Sequence, residues 1–116
     1  MDDEYIVIQR NRYFPFVVSA YDGNSPLVIS SGEKIVFGVK KNPTDTNCVL
    51  KKVLTSSDMT EIDGEYLVTL TTSDTDIDSG RYYYDIVYKD SSGELHPIIQ
   101  KQMFVVADCV VRSADT

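Results

Sequence analysis

Asp78-Ser79-Gly80-Arg81-Tyr82-Tyr83-Tyr84-Asp85-Ile86-Val87-Tyr88-Lys89 is the stretch that decides the fold. Tyr82, Tyr84, Ile86 and Tyr88 alternate here with Arg81, Tyr83, Asp85, Val87 and Lys89. Successive side chains of a strand point to opposite faces, so this period of two predicts a half-buried strand over residues 81–89. Asp90-Ser91-Ser92-Gly93 follows as a turn of hairpin length. Residues 94–106 read as the closing strand, with His96-Pro97 near its start.

Upstream the same grammar repeats. Residues 5–8 form a first strand, Asn11 and Arg12 interrupt it, and residues 13–20 resume an extended segment. Pro15 lies within that segment and marks an edge strand or a bend, because proline donates nothing to a ladder. Asp22-Gly23-Asn24-Ser25-Pro26 is a loop and residues 27–29 a short apolar connection. Ile35, Phe37 and Val39 share one face of the next strand. Residues 48–54 follow, with Val49 and Val53 on one face and Leu50 and Leu54 on the other. Residues 56–62 hold at most one helical turn, Asp63-Gly64 is a hairpin-type signal, and Tyr66, Val68 and Leu70 line a further strand face. Short strands separated by turn residues predict an all-β fold. Residues 1–107 are read as one domain and 108–116 as a C-terminal tail or linker.

The start of the deciding stretch resembles the corner that leads into strand F of immunoglobulin-like domains. There a tyrosine early in the strand returns its hydroxyl to upstream backbone and pins a crossover between sheets. Asp78, Gly80 and Tyr82 take those places, with Gly80 supplying the permissive backbone. The resemblance implies an antiparallel immunoglobulin-like β-sandwich of about seven strands. Tyr84 stands where antibody domains carry cysteine, and the chain has no tryptophan, so the corner is the general one of the sandwich.

Composition narrows the function. Of 116 residues, 42% are hydrophobic, and 18 carboxylates against 11 Lys and Arg give a net charge of −7. An acidic surface repels nucleic-acid phosphate, and no basic patch is expected; nucleic acid is not an expected partner. No apolar run approaches the roughly 20 residues of a membrane span, and no membrane partner is expected. Met1-Asp2-Asp3-Glu4 lacks the basic start of a signal peptide; synthesis in a cytoplasm without a signal peptide is expected. Cys48 and Cys109 have neither redox nor zinc spacing, and read as two reduced thiols or one disulfide.

Each candidate for chemistry has a plainer reading beside it. Asp74, Asp76 and Asp78 stand at positions 1, 3 and 5 of a calcium-type loop. The glycine needed at position 6 arrives one residue late, at Gly80, and a strand follows where a helix is required. A solvated loop whose aspartates cap turns fits better, so no metal and no cofactor are expected. His96 is the one histidine and has no partners visible in sequence. Lys40-Lys41 and Lys51-Lys52 read as loop and edge charges. Tyr13, Tyr21 and Tyr83 have the parity of exposed positions and are the candidate interface residues, since tyrosine joins an apolar ring to a polar tip. No phosphate loop, nucleophile elbow or ligand cluster is present, so no enzyme is expected.

Taken in order, further landmarks accumulate: Arg12-Tyr13-Phe14-Pro15-Phe16 before Val17-Val18, Asp22-Gly23-Asn24-Ser25-Pro26-Leu27, Lys34-Ile35-Val36-Phe37-Gly38-Val39-Lys40-Lys41, Leu70-Thr71 with Asp74-Thr75, Gly80-Arg81-Tyr82-Tyr83-Tyr84-Asp85-Ile86, and Phe104-Val105-Val106 with Asp108. This resembles the immunoglobulin-like N-terminal domain of phage baseplate upper proteins and related phage tail structural proteins. Gly80 to Ile86 is its most specific part. Family members typically carry a glycine-containing turn ahead of Phe14-Pro15-Phe16, where this chain has Gln9-Arg10-Asn11-Arg12. The resemblance implies a non-catalytic virion component that assembles with other virion structural proteins, with homo-oligomers compatible. A carbohydrate- or receptor-binding sandwich using the same tyrosines is the alternative.

Overall fold

The computed structural model describes residues 5–116. Residues 1–4, on which the expectation of no signal peptide rests, lie outside the described residues. In chain order the strands are β1 (Ile6–Gln9), β2 (Phe14–Ser19), β3 (Tyr21–Asp22), β4 (Ser25–Pro26), β5 (Lys34–Lys40), β6 (Leu50–Leu54), β7 (Glu65–Leu70), β8 (Gly80–Lys89) and β9 (Leu95–Ala107). A five-stranded sheet has the order β1-β9-β8-β5-β6, and a two-stranded sheet pairs β2 with β7. β3 and β4 make a two-residue hairpin within the segment read as a loop.

The chain passes from the small sheet (β2) to the large (β5, β6), back to the small (β7), and again to the large (β8, β9). This is the crossover order of an immunoglobulin-like β-sandwich. β2 and β7 take the places of strands B and E, β5, β8 and β9 those of C, F and G, and β6 extends the second sheet as C′.

Alternation puts the predicted faces inside. Ile35, Phe37, Val39, Tyr66, Val68, Leu70 and Ile86 are fully buried, and Tyr82 and Tyr84 nearly so. Phe37 is the hub. Its ring meets Phe16 of the small sheet edge-on at 5.5 Å and packs on Tyr84 at 5.5 Å and Phe104 at 6.1 Å. Burying each such side chain contributes about 1.5–3 kcal/mol. The sheets are thereby locked face to face.

The sandwich is antiparallel except at one edge, where β1 pairs with β9 in parallel, Ile6 opposite Phe104 through Gln9 opposite Ala107. A period-two pattern reads the same for either strand direction. The Asp63-Gly64 turn forms: the Glu65 amide donates to the Ile62 carbonyl at 3.1 Å, the Thr60 amide to the Glu65 carbonyl at 2.8 Å, and Met59 bridges Tyr66. It does not join β6 to β7, which belong to different sheets. One expectation is corrected: Cys48 precedes β6 rather than opening it. Cys48 and Cys109 are both free.

The turn after β1 is built without glycine. Asn11 has φ +61°, a left-handed conformation that asparagine tolerates better than most residues. It is buried, with Nδ2 donating to the Thr72 carbonyl at 3.1 Å and Oδ1 accepting from the Ser113 amide. Arg12 Nη1 donates to the Val111 carbonyl at 2.7 Å, so the segment after β9 is tied to this turn.

Candidate protein-interaction face

The inward set of each strand fixes the outward set. On the outer face of the five-stranded sheet the register places Val36 opposite Val53 and Val87, Gly38 opposite Lys51 and Asp85, and Lys40 opposite Tyr83. Lys34 is opposite Lys89, Arg81 opposite Val105, and Tyr83 opposite Met103. Lys101 reaches over the Tyr83 ring at 5.9 Å. Lys34, Lys40, Lys51, Arg81, Lys89 and Lys101 thus share one face with a single strand carboxylate, Asp85. That face carries a net +5, which leaves −12 on the rest of a chain of −7.

The expectation of no basic patch is therefore corrected. The six cations are spread from position 34 to 101, and only strand register collects them. Among the described residues none of the six forms an ion pair; the cations that do are Arg10, Lys52, His96 and Arg112. Lys51 belongs to the face, whereas Lys52 turns to the other side and meets Asp74 at 2.6 Å. Lys41 lies over the Tyr82 ring at 4.7 Å.

A hollow of about 220 Å³ opens on this face, lined by Lys40, Pro43, Cys48, Tyr83, Asp85 and Lys101. Gly38 makes room for it: a Cβ there would lie 3.1 Å from the Cys48 sulfur. The Lys40 and Lys101 ammonium groups outweigh the Asp85 carboxylate by one charge, and with the Tyr83 ring they suit an apolar group bearing negative charge.

The three candidate interface tyrosines are exposed, Tyr13 at 64%, Tyr21 at 57% and Tyr83 at 38%, but they are not brought together. Tyr13 and Tyr21 flank opposite ends of β2, about 26 Å apart at the rise of a strand. Tyr83 is on the large sheet. Tyr21 lines a separate hollow with Tyr88, His96 and Pro97. There the His96 ring stacks on Tyr88 at 5.4 Å, and its Nε2 is 2.9 Å from Asp90 Oδ2. Tyr88 donates to Glu33 Oε2 at 2.6 Å. That bond to a carboxylate pushes Tyr88 up to about 12 and, with the Ser30 donors, holds Glu33 below its usual range. No hydroxyl or thiol nucleophile is hydrogen-bonded to His96 among the described residues.

The corner forms as the sequence predicts. Tyr82 donates to the Asp78 carbonyl at 2.5 Å, and Gly80 has φ +145°. Burial, then the Asp78 charge, raises the Tyr82 hydroxyl. The calcium-type carboxylates do not converge. Asp74 takes Lys52, while Asp76 and Asp78 take Arg10 at 3.0 and 3.5 Å. Among the described residues no three potential ligands form a metal-holding group.

Two hydroxyls act as structural pins that the sequence does not signal. Thr75 is fully buried; its hydroxyl donates to the Arg12 carbonyl and accepts from the Arg12 amide, both at 2.8 Å. Tyr66 is fully buried and bonds Leu27 and Ile29. Neither lies in a local motif; their partners are 63, 39 and 37 residues away.

No family model matches the chain, and no curated protein matches it. Among solved structures, it is similar to that of NK cell receptor Nkp44, a triggering partner in natural cytotoxicity, at 14% identity and a TM-score of 0.41 over 94% of this chain and 100% of that one.

Proposed function

We propose that this chain is a non-catalytic structural module of a phage or prophage virion, docking to other tail or baseplate subunits through the outer face of its five-stranded sheet. The observation that carries the docking surface is the collection of six cations without an ion pair among the described residues, interleaved with Val36, Val53, Val87, Met103 and Tyr83, on a chain of net −7. Charge of one sign on a mixed apolar and aromatic face suits steered, specific association. The virion assignment is supported by the resemblance over Gly80 to Ile86 and the landmarks around it. Light scattering of the chain mixed with purified tail and baseplate subunits tests it. A complex is expected, and Lys40→Glu with Lys101→Glu should dissolve it. A chain that joins no such subunit speaks against the assignment.

The hollow beside Tyr83 favours a second reading, a carbohydrate- or receptor-binding sandwich for acidic ligands. Glycan-array binding that disappears in Tyr83→Ala would select it.

A further inference from the structure

We propose that the outer face of the five-stranded sheet receives the acidic segment between β6 and β7 of a second copy of this chain, in a head-to-tail contact. The proposal rests on the reading of that face as the docking surface and adds the partner.

The chain supplies its own complement. From position 53 to 80 it has seven carboxylates and no Lys, Arg or His. Three of the seven, Asp74, Asp76 and Asp78, are held by Lys52 and Arg10. The other four, Asp58, Glu61, Asp63 and Glu65, have no ion pair among the described residues. They fall within eight positions on and after the turn that follows β6, beside exposed Ile62 and Leu67. A negative, partly apolar surface therefore matches a positive, partly apolar one.

Size is sufficient. Five strands spaced about 4.8 Å and about seven residues long give a face of about 24 by 23 Å. Covered completely on both partners, that is at most about 1,100 Å², just above the roughly 1,000 Å² a specific interface needs. Pairing of two β6 edges is disfavoured, because the exposed, unpaired Lys51 of each copy would be brought toward its own like charge. A contact between two different patches leaves one of each free on every pair, and so builds a ring or an open chain. An extended polyanion fits less well, since beyond the face it meets the −12 of the remaining molecule.

Sedimentation velocity tests this between about 0.1 M and about 1 M salt, where the screening length falls from about 10 Å to about 3 Å. The unaltered chain should self-associate at the lower salt and run as a monomer at the higher. Lys40→Glu with Lys101→Glu breaks the face, and Glu61→Gln with Asp63→Asn breaks the segment. Each double variant alone should associate at least tenfold more weakly. Their equimolar mixture should give a closed 1:1 pair, because one intact face meets one intact segment. An unaltered chain that stays monomeric at the lower salt, or a mixture that stays unpaired, overturns the proposal. If such a monomer still binds a tail subunit through Lys40 and Lys101, the docking surface stands and only the self-contact falls. Binding of duplex DNA to the face with no self-association also overturns it.

Discussion

Tyr66 and Ile29 are joined across 37 residues of chain: the buried Tyr66 hydroxyl accepts from the Ile29 amide at 3.0 Å while donating to the Leu27 carbonyl at 2.6 Å. One phenol thus satisfies a backbone donor and a backbone acceptor where the chain enters the large sheet. Its ring belongs to the core of the small sheet, so it couples the two layers.

Tyr66→Phe should leave both backbone groups unpaired, the Ile29 amide in a buried place and the Leu27 carbonyl in a half-buried one. A cost of about 1–3 kcal/mol is expected in urea unfolding. Tyr82→Phe removes one donor to one carbonyl at the corner and should cost about 1 kcal/mol. The order matters: equal effects would mean that the Tyr66 pair is satisfied by water.

Gly64 and Gly93 share a left-handed backbone, φ +84° and +89°, but not their surroundings. A Cβ at Gly64 would lie 2.8 Å from Pro26 Cβ and 2.9 Å from the Ala20 carbonyl oxygen, whereas Gly93 has nothing within 4 Å. Gly93→Ala should cost about 1–2 kcal/mol from φ alone. Gly64→Ala should cost a further ~1–3 kcal/mol, because backbone must move. Thermal unfolding of the two variants side by side measures the difference.

The Tyr88–Glu33 bond sets two pH limits of opposite sign. Tyr88 is raised to about 12, so its contribution is complete below the ordinary tyrosine value of about 10 and is lost as pH rises through 12. Glu33 is lowered, so its contribution is complete above the usual carboxylate range and is lost as pH falls through the depressed value. Glu33→Gln should return Tyr88 toward 10 in a tyrosinate absorbance titration and flatten the acid limb of the stability profile. An unchanged titration would show that the charge of Glu33 does not control Tyr88.

Lys34 and Lys89 are directly opposite on neighbouring strands, an unfavourable pairing in the isolated chain. Lys34→Glu should therefore stabilise the monomer, by about 0.2–1 kcal/mol, while weakening association through the face. Unfolding and sedimentation of the same variant should move in opposite senses. A variant less stable than its parent would remove this argument for a face kept positive at a cost.

Much of the architecture is local and was legible. Ile35, Phe37 and Val39, or Tyr82, Tyr84 and Ile86, share a face because a strand alternates its side chains whatever it pairs with. The tyrosine corner was legible for the same reason, since Tyr82 reaches only four residues back to Asp78. The exposure of Tyr13, Tyr21 and Tyr83 also followed from parity. Their separation did not, because parity gives a face and not a place.

What the tertiary structure alone decided is which strands adjoin, in which direction and in which register. Backbone ladders bond peptide groups that are the same at every position, so the choice falls to how the whole set of buried faces packs. That choice made β1 parallel to β9, carried Tyr66 to Ile29, and set Lys34 beside Lys89 and Lys40 beside Tyr83. Composition determined an acidic molecule; register turned six scattered cations into one positive face on it.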